Sequence, residues 1–234
     1  MRLPLLFPLL LCLLFNWSCT QSTPVPAQAP PPGPTPSGAG ASYLALGDSY
    51  TIGQGVPEVD RWPVLLADLS GGQIQRPDII AQTGWTTAEL QQAIAASGNQ
   101  KSYELVSLLI GVNNQYRGLP LAQYRTEFRQ LLQTAVRFAA GRPGRVLVLS
   151  IPDWGQSPAG RSYDRARISR EIDQFNAAAQ EECRTAGVAF VDITDLTRGA
   201  QDPTQFATDG LHYSGAQMRQ WATRALPVMQ RLLL

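Results

Sequence analysis

Five short apolar segments alternate with longer segments of helical character across residues 43–234, and this alternation constrains the fold more than any other feature. The apolar segments are rich in Val, Ile and Leu and only four to six residues long, which is typical of buried strands. Continuously apolar strands separated by helices indicate a parallel sheet that is covered on both faces. We predict strands at Tyr43–Leu46, Ile79–Gln82, Leu105–Ile110, Val146–Ile151 and Val188–Ile193.

The segments between these strands have the spacing of amphipathic helices. In residues 121–140, for example, Phe128, Leu131, Leu132 and Ala135 recur with a period of 3.6 residues. The whole pattern predicts an α/β fold, a flavodoxin-like three-layer α/β/α sandwich with a mostly parallel five-stranded sheet. We predict helices at Trp62–Leu69, Thr87–Ala96, Leu121–Ala140, Tyr163–Ala186 and Ser214–Leu233.

The N-terminal region has the composition of an export signal rather than of a domain. Residues 1–15 are almost wholly apolar, with Arg2 as the only charge, and the small residue Ser18 follows at a suitable cleavage point. The apolar run is too short to span a bilayer comfortably. We therefore predict a signal peptide over residues 1–18 and an exported protein.

Residues 19–42 form a predicted Pro-rich linker or tether, dominated by Pro, Ala, Ser, Thr, Gln and Gly. The Ser18-Cys19 pair resembles a bacterial lipobox, although Asn16 stands where an aliphatic residue is usual, so Cys19 is a candidate lipid anchor. The resemblance implies a membrane-tethered lipoprotein of the cell envelope. Ordinary signal cleavage would instead leave the protein periplasmic or secreted.

Composition excludes several other classes of function. The 19 basic and 18 acidic residues are balanced and form no basic patch, which argues against nucleic-acid binding. Residues 43–234 hold one cysteine, Cys183, which we expect to be a small buried hydrophobe in a helix. With no CxxC motif and no Cys/His cluster, the sequence predicts neither a metal site nor an internal disulfide. Oligomeric state is not constrained by the sequence.

Polar segments follow the predicted strands at the points where they end. In parallel sheets the ligand site lies beyond the carboxyl ends of the strands, so these segments should meet at one edge. His212 is the only histidine of the chain and the obvious group for acid–base chemistry near neutral pH. The segments are Gly47-Asp48-Ser49, Thr83-Gly84-Trp85 and Gly111-Val112-Asn113-Asn114, with Asp209-Gly210-Leu211-His212 just before the last helix.

These four segments, in this order, resemble the four blocks of the SGNH/GDSL hydrolases, and the resemblance spans essentially the whole domain. It implies a serine esterase, lipase or acylhydrolase that uses no cofactor. Tyr50 and Asn114 stand where the family commonly has other residues, which bears on substrate preference and local packing. The implied catalytic residues are Ser49, Asp209 and His212, and the implied oxyanion hole comprises the backbone N–H groups of Ser49 and Gly84 and the Asn113 side chain.

The residue types fit that chemistry. A serine hydroxyl needs a base to accept its proton, and His212 can do this for Ser49 and later return the proton to the leaving alkoxide. Asp209 lies three residues before His212, so one turn can bring its carboxylate beside the ring. Other acids also follow strands, namely Asp153, Asp192 and Asp195, but the short spacing favours Asp209. Asp153 and Trp154 are alternative candidates for shaping the pocket.

The predicted reaction is hydrolysis of a carboxylic ester through an acyl-Ser49 intermediate. Export favours a lipid ester or an acetylated glycan as substrate, while acyl chain length and the alcohol part are not determined by the sequence. Two alternatives remain open. An O-acyltransferase would use the same triad to acylate a sugar hydroxyl, and an envelope binding module would keep the fold without turnover.

Overall fold

A computed structural model describes residues 40–200 and 202–234 of the chain. Its sheet has five strands, all parallel, in the order β2-β1-β3-β4-β5. The predicted parallel α/β sheet is thereby confirmed. The strands are β1 (Tyr43–Gly47), β2 (Asp78–Ala81), β3 (Leu105–Leu109), β4 (Val146–Leu149) and β5 (Ala189–Val191).

Helices cover both faces of this sheet. From β1 the chain steps to β2 on one side, and then crosses back to β3, β4 and β5 on the other. Since crossovers between parallel strands are right-handed, this reversal places the connecting helices on opposite faces. The helices are α1 (Ser49–Ile52), α2 (Trp62–Leu69), α3 (Thr87–Ala96), α4 (Val112–Tyr116), α5 (Leu121–Phe138), α6 (Arg165–Ala186), α7 (Thr194–Arg198) and α8 (Gly215–Leu233).

The contacts between helices agree with two outer layers. Helix α2 packs against α8, whereas α5 packs against α3 and α6. The three central strands β1, β3 and β4 are buried along their whole length, while the edge strands β2 and β5 are only partly buried. Each fully buried Leu or Val contributes about 1.5–3 kcal/mol, so the central strands supply much of the stability that holds the site-bearing edge in place.

The long helices begin and end close to the predicted positions. Helices α2 and α3 have the predicted bounds, and α6 ends at Ala186 as predicted, where the left-handed conformation of Gly187 closes the helix. Burial raises the pKa of the Cys183 thiol to about 12, and this side chain is fully buried as expected. In the same helix, Glu182 is nearly buried and accepts hydrogen bonds from Arg125 and Arg129, which fastens α6 to α5.

Predictions for the N-terminal region fall largely outside the described residues. The signal peptide over 1–18, the anchor Cys19 and all but the last three residues of the predicted linker belong there. From Ala41 onward the chain bonds to the domain, since Ala41 N–H donates to Gln73 O at 2.8 Å and Gln75 N–H donates to Ala41 O at 2.9 Å. Within residues 40–200 and 202–234, no helix combines the length and apolar character needed to cross a bilayer.

Candidate active site

Ser49 lies where β1 turns sharply into α1. Gly47 ends the strand, and Asp48 caps the helix by accepting a hydrogen bond from Tyr50 N–H at 3.0 Å. A Cβ atom on Gly47 would lie 2.1 Å from Thr51 Oγ1 and 2.6 Å from a backbone oxygen of β3, so only glycine fits this turn. The turn therefore places Ser49 at the first position of a helix, beyond the carboxyl end of a central strand.

Asp209 and His212 are joined by a short hydrogen bond. Asp209 Oδ2 lies 2.6 Å from His212 Nδ1, and Asp209 Oδ1 accepts the backbone N–H groups of Leu211 and His212, each at 2.9 Å. Because the carboxylate is an acceptor, this geometry assigns the proton to Nδ1 and leaves Nε2 as the basic nitrogen. Partial burial alone would raise the pKa of Asp209, but the three hydrogen bonds outweigh it and lower that pKa.

The segment that carries Ser49 lies against the segment that carries His212. The ring centroids of Tyr50 and His212 are 5.5 Å apart, and a Cβ on Gly55 would lie 3.9 Å from Asp209 Oδ2. In the described part of the chain the His212 ring bonds Asp209 and forms no hydrogen bond with Ser49. Hydrogen bonds between nucleophile and base are often long in the absence of substrate, so the arrangement is compatible with a triad.

Gly84 and Asn113 lie beside this centre, after β2 and β3. Gly84 has φ +88°, which a residue with a side chain adopts only with strain. Asn113 is in α4, and its Nδ2 donates to Trp85 O at 2.9 Å. This bond fixes the amide plane with one N–H occupied and leaves the second N–H for another acceptor. The structure therefore brings a serine, a His–Asp pair, a glycine backbone and an amide to one edge of the sheet.

Asn114 has a packing role. Its Oδ1 accepts Thr87 N–H at 3.0 Å and its Nδ2 donates to Thr87 Oγ1 at 2.7 Å, while the Thr87 hydroxyl also donates to Glu127. The two bonds of Asn114 join α4 to the start of α3, and the bond to Glu127 joins α3 to α5. Sequence reasoning noted Asn114 only as a departure from the family, and the partner that explains it is 27 residues away.

The competing acids are occupied by structural contacts. Asp153 is fully buried and accepts from Arg198 Nε at 2.9 Å and from Ser169 Oγ at 2.5 Å. Asp192 accepts from Ser150 Oγ at 2.8 Å, and Asp195 pairs with an arginine of α8. None of these carboxylates bonds the His212 ring, which leaves Asp209 as its partner.

Trp154 contributes to a cluster of aromatic rings next to α4. Its indole N–H donates to Gln115 Oε1 at 2.7 Å, and its ring meets the rings of Tyr116 and Tyr163 edge-on, each at a centroid distance of 5.1 Å. Both tyrosines are half exposed. The hypothesis that Trp154 shapes the pocket thus has a geometric basis, because Tyr116 is one helical turn from Asn113.

Two surface hollows of the described residues lie away from this site. The described residues include two surface hollows of about 370 and 310 Å³, one between α6 and β5 and the other between α3 and α5. Neither is lined by Ser49, Gly84, Asn113 or His212. The candidate site rests on side-chain chemistry and on its place at the carboxyl edge of the sheet, which are stronger arguments than the volume of an open surface hollow.

A model of the GDSL-like lipase/acylhydrolase family matches residues 45–220, which is most of the chain. The chain belongs to this family. Every residue of the candidate site lies inside the matched range. A comparison with curated protein sequences gives no match.

Solved structures with the same fold agree with this family. The GDSL-type chain is 20% identical to TesA, with a TM-score of 0.65 over 82% of this chain and 99% of that one. It is 16% identical to the psychrotrophic esterase EstA from Pseudoalteromonas sp., with a TM-score of 0.62 over 82% and 98% of the two chains. It is 18% identical to the acetylxylan esterase Axe2 from Geobacillus stearothermophilus, with a TM-score of 0.64 over 82% of this chain and 95% of that one. The predicted family and fold are confirmed, and the protein is an ester hydrolase of the GDSL type.

Proposed function

We propose that this hydrolase cleaves carboxylic esters through an acyl-Ser49 intermediate, with His212 as general base and acid and Asp209 as its orienting carboxylate. The observation that carries the proposal is the 2.6 Å hydrogen bond between Asp209 and His212, next to the helix that begins at Ser49. A carboxylate held ionised beside Nδ1 stabilises the imidazolium that forms when Nε2 takes a proton.

The first half of the reaction acylates the enzyme. His212 Nε2 accepts the proton of Ser49 Oγ as that oxygen attacks the ester carbonyl carbon, and the carbonyl π electrons move to oxygen. Collapse of the tetrahedral intermediate breaks the C–O bond, and His212 returns the proton to the leaving alkoxide. The alcohol leaves and the acyl group remains on Ser49.

Water completes the cycle by the same route in reverse. His212 takes a proton from water as the water oxygen attacks the acyl carbon. The second tetrahedral intermediate then breaks its bond to Ser49 Oγ, which receives the proton from His212 as the carboxylic acid leaves. Asp209 stays ionised throughout. No group other than these side chains and the oxyanion donors takes part in the proposed steps.

Three donors would stabilise the oxyanion of both intermediates, the backbone N–H groups of Ser49 and Gly84 and the second N–H of the Asn113 amide. Each such donor is worth about 3 kcal/mol in related acyl-transfer sites. Asn113 supports this role because its other N–H already bonds Trp85 O, which fixes the direction of the amide. The positive φ of Gly84 and its lack of a side chain let the main chain approach the reacting carbon closely.

For location and substrate we propose an exported enzyme of the cell envelope, tethered through Cys19, that acts on lipid esters or acetylated glycans. The apolar segment 1–18 and the Pro-rich segment 19–42 support export and tethering. Axe2, which has this fold, is an acetylxylan esterase, but a likeness of 18% identity does not select among substrates. Labelling with a palmitate analogue in cells that carry wild-type or Cys19→Ser protein would test the tether.

The decisive experiment measures hydrolysis of p-nitrophenyl acetate, butyrate and octanoate by wild-type protein and by the Ser49→Ala and His212→Ala variants. Both variants should lose all but a trace of turnover, and mass spectrometry of a quenched reaction should find the acyl group on Ser49. The control is Ser97→Ala, an exposed serine at the end of α3. Turnover that survives Ser49→Ala in a folded protein would contradict the proposal.

The same assay separates hydrolysis from acyl transfer. With an added sugar acceptor, a hydrolase releases free acid at an unchanged rate, whereas an O-acyltransferase forms the acylated sugar at the expense of the acid. A folded protein without turnover on any ester would instead favour a binding module.

A further inference from the structure

The segment that carries Gly84 lies between β2 and α3 and is held mainly by polar contacts. Nothing packs closely on Gly84 itself, because a Cβ built there would have a single neighbour within 4 Å, Arg117 Nη2 at 3.8 Å. A glycine with open space around it has the largest conformational freedom of any residue. Its observed conformation, with φ +88°, belongs to a turn closed by the bond from Trp85 N–H to Gln82 O at 3.3 Å, and side-chain hydrogen bonds on either side hold that turn in place.

Arg117 makes the contact that acts directly on Gly84. Its Nη2 donates to Gly84 O at 2.6 Å, a short charge-assisted hydrogen bond. On the preceding side, Thr83 Oγ1 donates to Gln54 Oε1 at 2.7 Å, which ties the segment to the loop that follows α1. Gly84 is thus anchored at both ends, and the bond from Arg117 is the anchor that fixes its carbonyl and so its ψ angle.

The guanidinium of Arg117 is itself held in place. Its Nη1 donates to Glu89 Oε1 at 3.2 Å, and Glu89 Oε2 accepts Thr86 N–H at 2.8 Å in the capping box of α3. The pKa of Glu89 is lowered, chiefly by that bond from Thr86 N–H, so the carboxylate that holds Arg117 stays ionised. A planar fork that bonds a carbonyl on one side and a carboxylate on the other is a geometry that lysine does not reproduce.

The backbone of Arg117 joins the same segment to the second donor. Arg117 follows α4, and its N–H donates to Asn113 O at 3.1 Å. Asn113 in turn bonds Trp85 O, one residue beyond Gly84. The two proposed oxyanion donors, one before α3 and one in α4, are therefore connected through one arginine, whose backbone caps the end of α4 and whose side chain holds the loop before α3.

We propose that Arg117 is a positioning residue of the oxyanion hole, which holds the Gly84 carbonyl and thereby limits movement of the turn that presents the Gly84 N–H on the same side of the site as the Asn113 amide. The proposal rests on the proposed function, since it presumes that both groups stabilise an oxyanion. Arg117 does not touch the reacting atoms in this assignment. An exposed Arg–Glu pair without such a role would contribute little to stability and nothing to turnover.

The test compares Arg117→Ala and Arg117→Lys with the wild type on p-nitrophenyl butyrate. Removal of an oxyanion donor itself lowers kcat by roughly 100- to 1,000-fold, and loss of the group that positions a donor should cost about 10- to 100-fold. We expect this loss in kcat, with KM changed by no more than about threefold, because the hole acts in the transition state. Arg117→Lys should recover only part of the loss, since an ammonium lacks the two separate nitrogens, Nη1 and Nη2, with which the planar guanidinium bonds Glu89 and Gly84 O.

Chemical rescue adds a measurement that a structural role would not affect. Guanidinium ion at non-denaturing concentration should restore part of kcat in Arg117→Ala by occupying the vacated site between Gly84 O and Glu89. The control is Arg224→Ala, which removes an arginine of similar exposure that pairs with Asp195. That variant should keep wild-type kcat and should not respond to guanidinium.

Three results would overturn the assignment. They are an unchanged kcat in Arg117→Ala, a rise in KM at constant kcat, which would make Arg117 a substrate-binding residue, and a loss of kcat that merely follows a large fall in Tm. The Ser49→Ala variant run in parallel distinguishes the two proposals. If Ser49→Ala keeps its activity, the proposed function fails, whereas loss of activity there with a normal Arg117→Ala rejects only the role of Arg117.

Discussion

Asp48 is next to Ser49 in the chain and Asp209 is bonded to His212, yet the surroundings of these two aspartates are opposite. Asp209 has a side chain that is 39% exposed and accepts three hydrogen bonds. Asp48 is fully buried, and its Oδ1 accepts one backbone N–H while Oδ2 has no partner among the described residues. Burial raises the pKa of Asp48 to about 7 against a smaller opposing effect of the Tyr50 N–H bond, whereas the pKa of Asp209 is lowered.

The comparison teaches that hydrogen-bond donors, rather than closeness to the serine in sequence, decide which acid carries charge. Asp48 is the immediate neighbour of Ser49, yet it is neutral over much of the acid range and serves as the cap of α1. Asp209 is 160 positions beyond Ser49 in the chain and remains ionised, which is the state that an orienting carboxylate needs. Each acid can be replaced by its amide to separate these roles.

The largest effect should come from Asp209→Asn. An amide at this position cannot stabilise the imidazolium, and it can favour the tautomer that places the proton on Nε2, so we expect kcat/KM to fall by roughly 1,000- to 10,000-fold. Steady-state hydrolysis of p-nitrophenyl butyrate measures this loss. Asp195→Asn, which removes a carboxylate paired with Arg224, is the matched control and should be nearly neutral. A fall of less than about tenfold would reject Asp209 as the orienting acid.

The second effect concerns stability and depends on pH. Since the pKa of Asp48 is raised to about 7 in the folded state from 3.8 in the unfolded state, the folded state binds more protons between these values. Stability should therefore fall as pH rises from about 4 to about 7, by up to about 4 kcal/mol. Asp48→Asn imitates the protonated acid, so it should match the wild type near pH 4 and exceed its Tm at pH 8.

Thermal unfolding of both proteins from pH 4 to pH 8 checks this expectation, with each kcal/mol worth about 2–4 °C in a chain of this size. The difference in Tm between variant and wild type is the informative quantity, because other carboxylates titrate equally in both. For Asp209→Asn the stability difference from the wild type should depend on pH in the opposite direction. The pKa of Asp209 is lowered in the folded state, so that variant should be less stable at neutral pH and equal to the wild type at low pH. A constant difference for Asp48→Asn would show that Asp48 is ionised in the native state.

Much of the fold could be predicted because long-range order here follows from local patterns. The runs at β1, β3 and β4 are continuously apolar and were placed within a residue or two, and α2 and α3 had the predicted bounds. The edge strands also lie within a residue or two of the predicted bounds at each end. β2 begins one residue earlier, at the exposed Asp78, and β5 spans only three residues, because a half-buried edge carries a weaker apolar signal. The short helices α1, α4 and α7 were missed, since four or five residues cannot display a helical period.

The candidate site, like the fold, could be predicted only in part from the sequence. Ser49, Gly84, Asn113, Asp209 and His212 lie in blocks that short motifs make visible, and the topology of a parallel sheet explains why the blocks meet. The catalytic roles themselves remain predictions. Contacts between residues that are far apart in the sequence cannot be predicted from local sequence patterns. Arg117 reaches Gly84 O across 33 residues, and the ionisation state of Asp48 depends on burial by the core around it. No periodicity or motif encodes either property.

The smallest effect should come from Thr51→Val, which tests whether Asp48 has a hidden partner. Thr51 is fully buried, its Oγ1 has no partner among the described residues, and the hydroxyl packs against Gly47. A buried hydroxyl without a partner contributes no net stability, so the near-isosteric valine should change the free energy of unfolding by less than about 1 kcal/mol, equally at pH 5 and pH 8. If Thr51 instead solvated an ionised Asp48, the variant would lose stability at pH 8 alone, because only the charged carboxylate would miss the donor. The pair of melting curves thus decides whether Asp48 owes its raised pKa to the lack of donors that distinguishes it from Asp209.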